Sequence, residues 1–522
     1  MTMKKIILGS RGSDLALWQA HYVKKQLEDL QLNVDLKIIV TQGDRIQHLS
    51  FDKLEGKGFF TKEIEDALLN REIDLAVHSL KDLPTSSPEG LQIAALSYRE
   101  DPRDVLLIRK GAYQALAQFG LAGNAVVGTS SARRKAQLLT FFPHITIKDL
   151  RGNVPTRVQK CRDGMYDAIV LAAAGIGRLQ LDLSDFEVVY LDPKSFIPAP
   201  AQGVLGLQIR ANEPELEAIL KQIHRADVAE TVAIEREILA SFEGGCHMPL
   251  GVYCEKNGSS YTVYTAKSNE ASALPVYLRL NGEQSGELVA ETLNLANKQR
   301  KSSILITKNA VELTALARLL AAHGMDARFQ SLIQTKAVPV THWPSCDWVF
   351  FGSRNAVRHA LQLHPPLLEH KKIGAVGPGT AKELQKLGFQ PHFIGDVADV
   401  EQVAVTFMRA IQAGENVLLP LGEQSEKTLV RSWENKLALE TVVVYTTSQH
   451  IVDQLPQTDY VLFTSPSNAK SWVAQGGKID HTIAIAMGKT TADQLEQLGF
   501  RSPILSHGYN ELALATTIFG LS

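Results

Sequence analysis

The stretch HSLKDLP, His78 to Pro84, sets a lysine beside an aspartate directly after an apolar run. The dipeptide Lys81–Asp82 alone reads as a solvated turn ahead of Pro84. An aspartate at a strand end that faces a group of arginines is different. The arginines keep it ionised, and it can stabilise a developing cation or pass a proton to a leaving amine. Arginines are present in the right kind of place. Fifteen precede residue 251, and seven follow residue 300. Several lie in Gly- and Ser-rich stretches: Arg11 in GSRGS, Arg133 and Arg134 in GTSSARR, Arg151 and Arg157 in LRGNVPTR, Arg178 in GIGR. Guanidinium forks match carboxylates bidentately and stay charged at physiological pH. One such arginine is more often a surface charge or a structural ion pair. A set repeated at strand-to-helix turns points to a cleft for a polycarboxylate.

Other stretches carry weaker chemistry. In GTSS the serines can cap a helix whose first N–H groups point at an anion. The GK[ST] ending of a nucleotide P-loop is absent, and GAVGPG near 374–379 lacks the GxGxxG order. Cys246 lies in EGGCHMPLG, a loop where an accessible thiolate can react; the plainer reading is a small buried hydrophobe. Cys246, His247 and Cys254 do not have zinc spacing, so no metal is expected.

These residues need elements to position them. Strand-like runs alternate with helical patterns from the start: KKIILGS, then DLALWQAHYVKKQLEDL, then VDLKIIVTQ. This is the βαβ rhythm of a parallel or mixed sheet. A polar stretch ends in a fresh start near residue 300. Beyond it the chain repeats itself. DWVFFGSRNAV from Asp347 answers DYVLFTSPSNA from Asp459, and IGAVGPGTAKELQKLGF answers IAIAMGKTTADQLEQLGF. Two α/β units with a cleft between them follow from that repeat.

Composition narrows the class. The 522 residues predict several domains, with 45% hydrophobic and 21% charged residues, as in soluble proteins. A net charge of −2 gives no global attraction for nucleic acid or anionic membrane. Arg11 and Asp14 interrupt the first apolar run too early for a signal peptide, and AIVLAAAGIG is too short to span a bilayer. Four cysteines do not make a disulfide framework. The expectation is a cytoplasmic protein, a monomer, without nucleic-acid or membrane partners.

Ten motifs in order resemble the hydroxymethylbilane synthase (porphobilinogen deaminase) family, from about residue 4 to about 298: GSRGSDLALWQA, TQGDR, GKGFFTKEIE, HSLKDLP, REDPRD, GTSSARRKAQL, LRGNVPTR, LAAAGIGRL, PAPAQGVLG and EGGCHMPLG. The resemblance implies two periplasmic-binding-protein-like lobes, about 1–99 with 200–222 and about 103–196, and a small α+β domain at about 226–298. It implies a dipyrromethane cofactor on Cys246, built from porphobilinogen. Asp82 would protonate the departing amine, steady the resulting azafulvene cation and help deprotonate the ring after coupling. Cofactor contacts are implied for Lys81, Asp82, Ser131, Arg133, Arg134 and Arg157. Substrate contacts are implied for Arg11, Ser13, Lys57, Arg151, Arg157 and Arg178. The sequence departs from the family at Ala201, often glycine, at Gln208, often glutamate, and at Pro155, a variable slot.

Residues 301–522 resemble uroporphyrinogen-III synthase through ILITK, DWVFFGSRNAV, AVGPGTAKEL, VVVYTT, LFTSPSNA and AMGKTTADQL. That family is a two-lobed α/β module; here the lobes would be about 301–337 with 450–522, and about 341–446. It cyclises hydroxymethylbilane with inversion of the last ring. Tyr445 matches the family's tyrosine that assists hydroxyl departure, and Ser465, Thr490 and Thr491 match loops facing the cleft. Tyr445 is otherwise readable as a strand-end core residue. Lys308 and Leu421 stand where the family often has arginine. The implied protein is a bifunctional enzyme. The other readings are an active deaminase with a degenerate synthase half, and a non-catalytic carboxylate-binding protein. Residues 45–60 look like a mobile lid.

Overall fold

The run KKIILGS forms a strand because alternate residues of Ile6–Ser10 can be buried between helices on either side of a sheet. The computed structural model describes residues 5–42, 61–115, 117–242, 248–395, 400–425 and 427–521. Cys246, Lys57 and the whole of the expected lid at 45–60 lie outside the described residues.

In the first lobe β1 (Ile6–Ser10) runs parallel to β2 (Val34–Ile38) and β3 (Leu75–Ser79). Between β1 and β2, α1 (Asp14–Asp29) is capped by Ser13, whose side chain accepts from the Ala16 N–H. Its inner face carries Ala20, Val23 and Leu27 at helical spacing. After α2 (Lys62–Leu69) and β4 (Leu91–Leu96) the chain leaves this lobe.

The second lobe comprises β5 (Asp104–Arg109), β6 (Val126–Gly128), α3 (Ala132–Phe141), β7 (Thr146–Lys148), α4 (Val154–Arg162), β8 (Ala168–Ala172), α5 (Ala173–Leu179) and β9 (Phe186–Tyr190). Its strand order is β7-β6-β8-β5-β9. Strand β5 shows the period of two: Leu106 and Ile108 join one core, Val105 and Leu107 the other. The chain then returns as β10 (Leu205–Arg210), which inserts between β3 and β4 to give the order β2-β1-β3-β10-β4. β10 is antiparallel to β3 and β4, and β5 is antiparallel to β8 and β9. Each strand next to a crossing thus opposes its neighbours, because the chain enters each sheet from the other lobe. A third domain follows: α6 (Ala226–Ser241), the antiparallel sheet β11 (Leu250–Asn257), β12 (Ser260–Lys267) and β13 (Val276–Gly282), and α7 (Ser285–Asn297).

Two further sheets complete the chain. One has the order β15-β14-β22-β23-β24, from β14 (Ser303–Ile306), β15 (Asp326–Phe329), β22 (Tyr460–Phe463), β23 (Ile483–Ala486) and β24 (Ile504–Leu505). The other has the order β16-β21-β20-β17-β18-β19, from β16 (Ile333–Ala337), β17 (Trp348–Phe351), β18 (Lys372–Ala375), β19 (Phe393–Ile394), β20 (Asn416–Gly422) and β21 (Ala438–Gln449). The helices in this part of the chain include α8 (Thr314–Ala322), α9 (Arg354–Leu363), α10 (Pro466–Ala474), α11 (Lys489–Gln497) and α12 (Glu511–Leu521). The repeat extends to the caps. Ser353 opens α9 by accepting from the Ala356 N–H, and Ser465 opens α10 by accepting from the Asn468 N–H. β16, in the stretch expected with the first lobe, pairs antiparallel with β21 of the six-stranded sheet.

The chain divides into two compact units, Met1–Ser303 with Leu313–Ala327 and Ser506–Ser522, and Ile304–Glu312 with Arg328–Leu505. Helices α8 and α12 therefore group with the residues before 304.

Candidate active site

The turn bearing Lys81 and Asp82 follows β3 directly, as a 3-10 turn over Leu80–Asp82. It is gripped from the third domain. Arg236 on α6 donates to the carbonyls of Leu80 (3.2 Å), Leu83 (3.4 Å) and Pro84 (2.7 Å). The Asp82 residue is exposed, whereas Lys81 is half-buried and donates to Oε1 of Gln202 at 3.2 Å. Burial pushes the Lys81 ammonium down to about 8, with Asp82 opposing and Arg134 adding to the fall.

Gln202 passes the contact on. Its Nε2 donates to the Pro102 carbonyl (2.8 Å) and to Asp104 (3.1 Å). Asp104 opens β5 and is fully buried. It accepts from Arg133 at 2.7 Å and from Arg134 at 2.7 and 3.1 Å. Burial alone would raise its carboxyl, but the two guanidiniums outweigh it and hold it far below the usual range. Arg133 also donates to the Ile197 carbonyl and Arg134 to that of Val170. Both arginines thus sit in a structural ion pair as well as at the start of α3, where Ser131 caps by accepting from the Arg134 N–H. A ligand anion here would meet a helix N-terminus backed by two positive charges.

Arg157, in the first turns of α4, donates to the Gly152 carbonyl at 2.8 Å. Burial lowers it to about 10; Arg134 and Arg151 lower it further and Asp82 opposes. Arg157 therefore lies within electrostatic reach of Asp82, Arg134 and Arg151. Arg11 follows β1 and acts electrostatically on buried His78. Arg178 lies in the last turn of α5, not in a strand-to-helix turn. It is buried, its guanidinium is 5.5 Å from the centre of the Trp18 ring, and it donates to the Gly203 carbonyl at 2.8 Å. Its Nε is buried without a hydrogen-bond partner among the described residues. Burial lowers Arg178, opposed by Tyr98 and Glu100.

Residues that sequence reasoning passed over hold this arrangement. Asp104 ends REDPRD and Gln202 lies inside PAPAQGVLG, so both were in motifs already visible. Glu235 was not. It is fully buried on α6 and accepts from Arg99 at 2.7 and 3.1 Å, from the Ala201 N–H at 2.7 Å and from the Cys254 N–H at 2.8 Å. It joins both interlobe crossings to the third domain. Ala201 has φ 60°, a left-handed backbone that glycine adopts without strain, which accounts for glycine at this slot elsewhere. At Gly203, φ 93°, an added Cβ would lie 2.3 Å from the Glu100 carbonyl oxygen. Gln208 Oε1 accepts from His78 Nε2 (3.1 Å), and its Nε2 donates to Glu65 (3.2 Å). A glutamate in its place would set two carboxylates side by side there.

The second site has a different chemistry. Tyr445 is buried on β21, its hydroxyl 3.5 Å from Ser353 Oγ and its ring stacked on His359 at 5.3 Å. His359 Nε2 lies 2.8 Å from Thr335 Oγ1. Burial lowers the His359 imidazole, helped by Arg358, so the ring is neutral at pH 7. An added Cβ on Gly422 would meet the Tyr445 ring at 2.5 Å, so that glycine makes room for it. Lys308 pairs with Glu312 (3.6 Å), which also meets Arg354 (3.5 Å) beside Ser353. Ser465, exposed Thr490 and buried Thr491 stand beyond the ends of β22 and β23, in the other sheet from Tyr445.

Among the described residues no group of three His, Cys, Asp or Glu could hold a metal ion, and no helix is long and apolar enough to cross a membrane.

Comparison with known proteins now bears on both parts. A porphobilinogen deaminase from Fusobacterium nucleatum is 44% identical over 297 residues, which are 56% of this chain and 97% of that protein. The chain belongs to the porphobilinogen deaminase family. A second deaminase, from Oceanobacillus iheyensis, is 40% identical over 305 residues, 58% of this chain and 97% of that protein. Residues 6–218 match the family model "Porphobilinogen deaminase, dipyromethane cofactor binding domain". Residues 314–515 match the model "Uroporphyrinogen-III synthase HemD", so the chain is a fusion of deaminase and synthase parts. A solved uroporphyrinogen-III synthetase from Helicobacter pylori is 20% identical, with 42% of this chain and 98% of that one covered and a TM-score of 0.33.

Proposed function

We propose that this protein catalyses two consecutive steps of haem biosynthesis: condensation of four porphobilinogen units with loss of ammonia, then closure of the resulting hydroxymethylbilane to uroporphyrinogen III. The observation that carries the first step is the charged chain beside Asp82, in which Lys81 is joined through Gln202 to Asp104 and its two arginines, with Arg157 in electrostatic reach of Asp82. The Asp82 carboxyl, in its acid form, can deliver a proton to the departing amine, and the carboxylate left behind, held among guanidiniums, then stabilises the cation on the substrate. Lys81, Ser131, Arg133, Arg134 and Arg157 hold the acetate and propionate groups of the cofactor, and Arg11, Ser13, Lys57, Arg151, Arg157 and Arg178 those of the substrate. The buried, partly unpaired Arg178 guanidinium fits such an anion. The dipyrromethane, when bound, supplies the nucleophilic pyrrole carbon on which the chain grows. Its attachment point is Cys246. The other three cysteines are buried, and burial pushes the thiols of Cys161 and Cys254 up to about 12, which suits neither for nucleophilic attack.

In the synthase part, Tyr445 assists loss of the bilane hydroxyl, oriented by the Ser353 hydroxyl and the His359 ring. Ser465, Thr490 and Thr491 bind carboxylates through hydroxyl and helix-start N–H groups. The synthase lobes are about 301–337 with 450–522, and about 341–446, with β16 pairing into the sheet of the latter; the deaminase lobes and third domain are about 1–99 with 200–222, about 103–196 and about 226–298. The protein acts in the cytoplasm as a monomer, without nucleic acid or membrane.

Intact mass tests the cofactor assignment. The wild-type chain is expected to be heavier than its sequence by two deaminated porphobilinogen units, and Cys246→Ser to match its sequence. A folded wild type with no added mass, even after incubation with porphobilinogen, overturns it.

A further inference from the structure

Arg318 lies on α8, inside the stretch that matches the synthase family model. Its guanidinium donates to the carbonyls of Leu139 (2.9 Å) and Thr140 (2.5 Å). Those carbonyls belong to the last turn of α3, whose first turn presents Ser131, Arg133 and Arg134 to the deaminase site. The last carbonyls of a helix have no partner within it and form the negative end of its dipole, so an arginine there is a cap. The same turn is held from a second side, where Thr140 Oγ1 lies 3.1 Å from the Tyr277 hydroxyl on β13.

β13 is an edge strand of the third domain, and an edge exposes unpaired backbone groups unless something covers it. Helix α12 packs against β13. It buries Leu512, Leu514, Thr516, Ile518 and Phe519, on all sides of the helix, as a helix enclosed by protein does. Arg300 fastens the junction by donating to the carbonyls of Leu295 at the end of α7 (2.7 Å) and Phe519 (3.1 Å). Glu511 accepts from the Leu316 N–H at 2.8 Å and so ties α12 to α8.

We propose that α8 and α12 are a brace, supplied by the synthase part, that clamps the site helix α3 and the edge of the third domain. The deaminase site then depends for its order on segments more than a hundred residues beyond it. The inference rests on packing within the first compact unit, independently of either proposed reaction. Hydrogen exchange on the full-length protein tests it, with Arg318→Ala, Arg318→Lys and the milder core variant Leu514→Ala. Arg318→Ala is expected to speed exchange at the end of α3 by roughly tenfold, with Arg318→Lys partly restoring it, and Leu514→Ala to speed exchange in β13 by roughly tenfold. Exchange in β17 and β20 stays at the wild-type rate. Wild-type exchange in α3 with Arg318→Ala overturns the brace, as does a rise spread equally over β17 and β20. If Leu514→Ala fails to fold, the arginine pair alone decides.

Discussion

Around Asp82 the chain gathers charges: Lys81, joined through Gln202 to Asp104 and so to Arg133 and Arg134, with Arg151 and Arg157 acting on the same region. Around Tyr445 it gathers hydroxyls and a neutral ring: Ser353, Thr335 and His359. Both parts handle polycarboxylate pyrroles, so the difference lies in the chemistry. Expelling ammonia and carrying a cation through four additions calls for an acid set among charges that hold the substrate's carboxylates. Losing a hydroxyl and closing a ring calls for a positioned hydrogen-bond donor. The charged network is also structural, since the two arginines at the head of α3 are held by a buried aspartate.

That contrast is open to attack at its strongest point first. Asp82→Asn should lower porphobilinogen consumption by about 10²–10⁴-fold, in the range for loss of a general acid, while added hydroxymethylbilane is still cyclised. Equal loss of both activities would mean the two sites are not chemically separate. Asp104→Asn leaves two buried guanidiniums without their counter-charge and should cost about 3–5 kcal/mol, read as a lower denaturation midpoint. A variant as stable as wild type would demote the ion pair to an ornament of the fold. Tyr445→Phe should slow cyclisation roughly 10–100-fold, the worth of one hydrogen bond to a charged group, and shift the product from the type III to the type I isomer. An unchanged isomer ratio removes Tyr445 from the chemistry.

The smallest effect is in pH. Lys81 has a folded value of about 8, below the roughly 10.4 of an exposed lysine. Between those values the unfolded chain holds the proton that the folded chain has shed, so this group makes stability rise with pH across that window. The cleft meanwhile loses a positive charge above pH 8, and KM for porphobilinogen should climb there. Lys81→Arg, charged throughout, should flatten the climb; an identical alkaline limb in that variant would assign it to another group.

Much of this was legible in the sequence where one short segment carries the whole signal. The strand in KKIILGS, the serine cap of α3 and the repeat after residue 300 need only local chemistry. Asp104 and Gln202 stood inside quoted motifs, but nothing local says that they meet Lys81. Glu235 sits in a helix with no motif around it, and its four hydrogen bonds come from three distant segments, at Arg99, Ala201 and Cys254. The grouping of α8 and α12 with the residues before 304 was hidden for the same reason. Edge coverage and helix capping across long separations leave no periodicity to read.

The insertion of β10 between β3 and β4 has a consequence for synthesis on the ribosome. The first lobe cannot close its sheet when β4 emerges at residue 96, because the strand that belongs beside it ends at residue 210. At typical elongation rates that gap is roughly 6–20 s, during which β3 and β4 lack their shared neighbour. The second lobe, an unbroken stretch of chain, completes its own sheet within that interval. The N-terminal lobe of this protein is therefore the later of the two to finish, and a nascent chain stalled short of residue 210 would present two open strand edges to whatever chaperone meets it.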